Sequence, residues 1–259
     1  NLGWASVGIC THAFYEAINH ASNRVLFKHK VTEFSHIQQF FVDAYTRLIA
    51  MKLFARRASD YMRAASEEDK RYLLYNPMVK MKVTMQGEEV INLLWDVIAA
   101  RGFEKDLYFE MAARDIRGLP KLEGTAQVNM VLILKFIENF LFNPSNLPEL
   151  PKNDSLGNDA FMFTQGATSK AQNKILFHDY NKAYEQFKQL ENVKIFLTQI
   201  DAYKYLVKNC EPEKNQTRDL DFMLIYGELF TLVAYGQLIL EAAKIENLDI
   251  DLVDQIFDY

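Results

Sequence analysis

Apolar residues recur every three or four positions along almost the whole chain, the spacing that gathers them on one face of an α-helix. Val7, Cys10, Phe14, Ile18 and Ala21 form the first such stripe, within a helix expected from Gly3 to Leu26, and the turn Lys28–Val31 ends it. A long second helix is expected from Phe34 to Ala64. Ser66-Glu67-Glu68-Asp69 has the form of a capping box, in which hydroxyl and carboxylate satisfy the free N–H groups of a helix start. Asn76-Pro77 reads as another start, opening a helix that carries Val79, Val83, Val90, Leu94 and Val97 and stops at Gly102. A shorter helix is expected over Leu107–Arg117, ending at Gly118 and Pro120. The next starts after Thr125, carries Val131, Leu132, Leu134, Ile137 and Leu141, and stops at Asn143-Pro144.

Beyond Asn143 the periodicity gives way to Asn, Pro, Ser, Asp and Gly as far as about residue 168, which reads as a surface linker. Further helices are expected near 172–190, 193–208, 219–245 and 249–258. The expected architecture is therefore all-α, with a four-helix bundle over 1–142, a linker over 143–170 and a helical extension over 171–259. Residues 222–243 are long and apolar enough to span a membrane, but Glu228 and Glu241 lie inside the stretch and acidic residues flank it. A central helix buried on all sides gives the same pattern and is the preferred reading, with membrane association through 219–245 the lesser alternative.

Composition narrows the function class. With 49% hydrophobic residues, few glycines and 259 residues, the chain has the material for a sizeable core. A net charge of −5 argues against a general nucleic-acid or anionic-membrane surface. Cys10 and Cys210 read as buried thiols in a reducing compartment, cytoplasmic, or mitochondrial in a eukaryote. The chain opens within a helical pattern and is expected to be part of a longer protein. His12, Glu16 and His20 share a helix face, but the Glu-x-x-His set of di-iron bundles is missing, so no metal is expected; His29, His36 and His178 stand isolated in sequence.

Several landmarks then occur in order. Trp4–Cys10 is a small-residue opening; Ala21–Phe27 follows an A-x-x-R-x-x-F pattern; Ile37-Gln38-Gln39-Phe40 leads the second helix. Ala99-Ala100-Arg101-Gly102-Phe103 stands where G-G-x-G-Y/F would, Arg114-Asp115-Ile116-Arg117 matches R-D-A-R, and Glu123-Gly124-Thr125 follows with Gln127 behind it. Over Gly3 to Leu141 the sequence resembles the C-terminal helical domain of the acyl-CoA dehydrogenases. The resemblance implies an FAD-dependent α,β-dehydrogenation of an acyl thioester carried by coenzyme A or an acyl carrier protein. Electrons would pass to an electron-transfer flavoprotein or similar acceptor, and the protein would be a homodimer or homotetramer. Glu123 would be the general base, with Gly124 beside it at the substrate. Arg24, Phe27, Gln38, Ala99, Ala100, Gly102, Thr125 and Gln127 would contact flavin.

The departures fall mainly on those flavin contacts. Lys28 replaces a glycine, Ser35 the glutamine that opens the second helix, Ala99-Ala100 a glycine pair, Asp96 a glutamine and Leu122 an aromatic residue. They support an alternative of another class, a non-catalytic helical scaffold that keeps the dehydrogenase fold.

Overall fold

The computed structural model describes residues 1–153, 160–164, 175–210 and 212–258. In chain order its elements are α1 (Leu2–Asn23), β1 (Val25–Leu26), β2 (His29–Lys30), α2 (Ser35–Arg63), α3 (Tyr72–Met78), α4 (Thr84–Ile98) and α5 (Tyr108–Gly118). Then follow α6 (Ala126–Ile133), α7 (Ile137–Leu141), α8 (Ala160–Thr164), α9 (Asn181–Glu185), α10 (Glu191–Asn209), α11 (Leu220–Glu246) and α12 (Ile250–Ile256). The all-α expectation holds, since the described strands are one two-residue antiparallel pair. Two compact units result: Asn1–Lys52 with Lys80–Ala126, and Leu53–Val79 with Gln127–Asp258. They do not follow the 1–142, 143–170, 171–259 division, because α2 runs through the boundary at Lys52 and the chain from Gln127 onward packs within the second unit. Residues 154–159 and 165–174, within the expected linker and the start of the helix expected near 172, lie outside the described residues.

In the first unit, α1 packs chiefly on α4. Its buried stripe is Val7, Cys10, Ala13, Ala17 and Ala21, while Ile18 is exposed. Small side chains let the two backbones approach closely. Ser6 Oγ donates to the Val83 carbonyl at 3.0 Å, and a Cβ on Gly87 would lie 2.0 Å from that Oγ. Helix α1 stops at Asn23, short of the expected Leu26, because the chain enters the hairpin in which Val25 faces Lys30 and Leu26 faces His29. Phe27 and Lys28 form its two-residue turn with φ of 51° and 71°, the left-handed pair that such hairpins need.

Two expected helix starts fall elsewhere. The Ser66 hydroxyl does accept from the Glu68 and Asp69 N–H groups, yet no helix follows directly. Asp69 is drawn to Arg71, and α3 begins only at Tyr72. Asn76-Pro77 lies inside α3; proline has no N–H for the helical ladder, and a wide π-type turn over Val79–Val83 follows before α4.

In the second unit α11 is the central helix, buried at most positions from Phe230 to Ala243. Gly236 lets it meet α9: an added Cβ would sit 2.4 Å from the Tyr184 hydroxyl, which donates to the Val233 carbonyl at 2.6 Å. By length and composition α11 could also cross a membrane. Its buried carboxylate, however, is fully engaged. Glu241 accepts from Arg57 Nε at 2.7 Å, Tyr61 Oη at 2.9 Å, Gln237 Nε2 at 2.7 Å and His178 Nε2 at 2.9 Å. Arg71 Nη1 lies 2.7 Å from His178 Nδ1; guanidinium only donates, so Nδ1 accepts and Nε2 carries the proton given to Glu241. His178, isolated in sequence, is thus the hub of a buried network. Burial pushes the Glu241 carboxyl up, but His178 and Arg57 outweigh it and hold it down at about 2. The same arginines strap the segment beyond Pro144: Arg57 donates to the Leu150 carbonyl at 2.5 Å and Arg71 to that of Pro148 at 3.0 Å.

Candidate functional site

The Glu123-Gly124-Thr125 turn lies between α5 and α6 in the first unit. Leu119–Lys121 makes one tight turn after α5, and the backbone then turns left-handed at Glu123 (φ 53°) and Gly124 (φ 84°). Glycine adopts that conformation freely; for glutamate it costs roughly 1 kcal/mol and must be held. The holding group is Lys80, whose ammonium donates to the Pro120 carbonyl at 2.7 Å and to the Gly124 carbonyl. Burial lowers the ammonium below its ordinary value, Glu123 opposes the shift and Lys121 adds to it. Lys80 was not singled out from the sequence, and only its place opposite the turn reveals it. Glu123 itself is exposed, as are Leu122 and Thr125, and Thr125 occupies the N-cap position of α6. Gln127 stands exposed in the first turn of α6.

A second group of expected residues converges elsewhere in the same unit. Arg24, at the end of α1, and Ala99-Ala100, just past α4, line one cleft of about 520 Å³ together with His20, Arg101 and Glu104. Arg24 Nη1 lies 3.3 Å from His20 Nε2, so the imidazole accepts there. Burial depresses the His20 pKa, with Arg24 and Arg101 adding to the effect. Ala99 ends α4 at φ 57° and ψ −143°, a region that glycine populates and alanine rarely does. Of the three glycines missing from the expected pattern at these turns, at 28, 99 and 100, those at 28 and 99 stand at positive φ.

The remaining expected residues are dispersed. Gly102 is buried against Trp95: an added Cβ would meet the indole nitrogen at 2.7 Å, so packing within the chain already requires the glycine. Phe27 projects from the hairpin tip, 88% exposed. Gln38 donates to the Thr32 carbonyl at 3.0 Å, which fastens the start of α2. His12 stacks on Tyr108 with ring centres 4.2 Å apart, and among the described residues no group of three or more His, Cys, Asp or Glu is placed to hold a metal. Cys10 is buried and its thiol pushed up by burial to about 12, whereas Cys210 is exposed, against the expectation that both are buried.

Two arginines and a histidine line the Arg24 cleft against a single carboxylate at Glu104, a balance of charge that suits a phosphate anion.

Comparison with known proteins agrees with the order of landmarks. The chain is 27% identical over 128 residues to the 3-(aryl)acrylate reductase of Clostridium sporogenes, covering 49% of this chain and 33% of that one. It has the same identity and coverage with a subunit of the caffeyl-CoA reductase–Etf complex of Acetobacterium woodii. It thus spans about a third of the length of these relatives. Its fold is that of Caenorhabditis elegans ACDH-11 in complex with C11-CoA, with TM-score 0.58 at 15% identity over 99% of this chain and 41% of that one. An acyl-CoA dehydrogenase complexed with FAD from Bacillus anthracis gives TM-score 0.56 at 16% identity, over 95% of this chain and 42% of the other. Residues 1–138, more than half the chain, match the family described as acyl-CoA dehydrogenase, C-terminal domain. The chain belongs to the acyl-CoA dehydrogenase family.

Proposed function

We propose that this chain is the C-terminal part of an FAD-dependent enzyme that interconverts saturated and α,β-unsaturated acyl thioesters, with Glu123 as the group that takes or returns the Cα proton. The observation that carries the reading is the Glu123-Gly124 turn, left-handed at both residues and tied by Lys80. A solvated carboxylate is too weak a base for a thioester Cα–H, so the acyl chain must exclude water around Glu123 when it binds. Leu122, exposed beside it, offers apolar surface to that chain. Lys80 keeps the Gly124 carbonyl from turning, and with it the direction of the Glu123 side chain. The Glu123 backbone N–H is the chain's donor for the thioester oxygen on which charge develops. Bound FAD supplies the two-electron redox chemistry at Cβ. Arg24, with Ala99 and Ala100 in the cleft wall, would hold its diphosphate.

The relatives named as reductases favour reading the reaction in both directions: the base that removes the Cα proton in dehydrogenation returns it in reduction. The caffeyl-CoA relative's name couples it to an Etf, which supports an electron-transfer flavoprotein as the redox partner here. A homodimer or homotetramer, coenzyme A or an acyl carrier protein as acyl carrier, and a cytoplasmic location, or mitochondrial in a eukaryote, belong to the same proposal.

A second reading, the scaffold without cofactor, draws on Lys28 and Ala99, non-glycine residues at positive φ where the family pattern has glycine. The deciding experiment uses the full-length protein. Flavin co-purifying or reconstituting with it, bleaching with saturated acyl-CoA and yielding the enoyl thioester, is the expected result. A colourless protein that takes up no FAD and converts no thioester would sink the enzymatic reading in favour of the scaffold.

A further inference from the structure

The cleft that gathers Arg24, Ala99 and Ala100 also holds His20 and Arg101, which none of the family landmarks assigns a role. His20 feels the charges of both Arg24 and Arg101 there. Arg24 follows it by one helical turn, with Nη1 3.3 Å from Nε2. Arg101 comes from the turn after α4, and Glu104 follows it on the same wall. A smaller cavity of about 120 Å³ adjoins His20 and Arg101 and brings in Glu16 from α1 and Tyr108 from α5. Glu16 is already paired, 3.4 Å from His12, and the Tyr108 hydroxyl donates to the Ile9 carbonyl at 2.9 Å. Because guanidinium only donates, Arg24 leaves Nε2 as an acceptor, and a positive charge on the imidazole would be the third beside those of the two arginines.

An anion in the cleft reverses that balance. It neutralises the field of Arg24 and Arg101 and gives a protonated Nε2–H something to donate to. We propose that this cleft is a proton-coupled diphosphate site, in which His20 takes up a proton as the anion binds and joins Arg24 and Arg101 as a donor to it. The proposal rests on the reading of the cleft as the cofactor side of the site, and it adds two residues and a pH dependence to that reading. The physical cause is visible in the free protein, where burial and the two arginines already depress the His20 pKa. A diphosphate diester is common to FAD and coenzyme A, so both are admissible sources of the ligand.

The test is calorimetric titration of the full-length protein, freed of bound nucleotide, with ADP-ribose, whose bridging diphosphate does not titrate near neutrality. Binding is expected to weaken about tenfold between about pH 6 and about pH 8, with uptake of up to about one proton near neutrality. His20→Gln should keep binding but lose both the pH dependence and the proton uptake, and Arg101→Gln should weaken binding at every pH. FAD and coenzyme A titrated in parallel identify which of the two supplies the diphosphate. The proposal is overturned if ADP-ribose does not bind, if its binding is independent of pH, or if His20→Gln retains the wild-type pH dependence. Thermal melting of each variant separates lost binding from lost fold. Glu123→Gln, which would abolish thioester chemistry on the reading above, should leave ADP-ribose binding unchanged, so the two readings fail separately.

Discussion

Replacing Lys80 by methionine keeps the length of the side chain and removes the ammonium that ties the Glu123-Gly124 turn. The wild-type group donates to the carbonyls of Pro120 and Gly124 from a half-buried position. A hydrogen bond from a charged donor contributes about 1.5–3 kcal/mol when buried, and partial exposure brings the pair to about 1–2 kcal/mol. Glu123 and Gly124 both sit at positive φ, so the released turn relaxes toward ordinary backbone and carries the carboxylate with it. If all of that energy orients Glu123 in the transition state, kcat falls about fivefold to thirtyfold, with little change in KM. Steady-state kinetics of the full-length protein on its acyl thioester reads the split, and Lys80→Arg should recover part of kcat. Wild-type kcat in Lys80→Met, or a loss confined to KM, would refute the positioning role.

Other outcomes follow from the fold. Glu241 is held at about 2 against an ordinary 4.5, so the unfolded chain binds the proton first and stability rises with pH across that interval. About 3 kcal/mol should be present above pH 4.5 and lost progressively toward pH 2, as acid unfolding would show, and Glu241→Gln should flatten that slope. Ala99→Gly and Lys28→Gly each relieve a positive φ and should stabilise by about 0.5–1 kcal/mol in chemical denaturation, net of the entropy glycine adds to the unfolded chain. Gly87→Ala places a Cβ 2.0 Å from Ser6 Oγ and should cost about 1–3 kcal/mol, largely restored in combination with Ser6→Gly, which removes that hydroxyl.

Local sequence signals located most helices because the period of three and four is a property of each segment alone. They missed where long-range partners intervene. Ser66 makes the turn of a capping box, but Asp69 is committed to Arg71, and the helix waits until Tyr72. Asn76-Pro77 has the look of a start because proline tolerates the first turn; here Pro77 lies inside α3 and a wide turn follows it before α4. The landmarks single out Arg24, Ala99 and Ala100, which the fold brings to one cleft, and the Glu123 turn, whose role is proposed above. Lys80, His20's place between two arginines and His178 at the centre of a buried network carry no local pattern. Lys80 and His178 are defined by groups tens of residues away, 40 positions from Lys80 to Pro120 and 63 from His178 to Glu241, and His20, with Arg24 only one turn on, needs Arg101 from beyond α4.

The role of Glu123 is tested most directly by exchange of the Cα hydrogen of a bound acyl thioester with deuterated solvent, measured with the full-length protein and its Glu123→Gln variant. The variant should exchange at least about a hundredfold more slowly while binding the thioester as tightly. Equal exchange in the two proteins would show that another group moves the proton and would remove Glu123 from the chemistry.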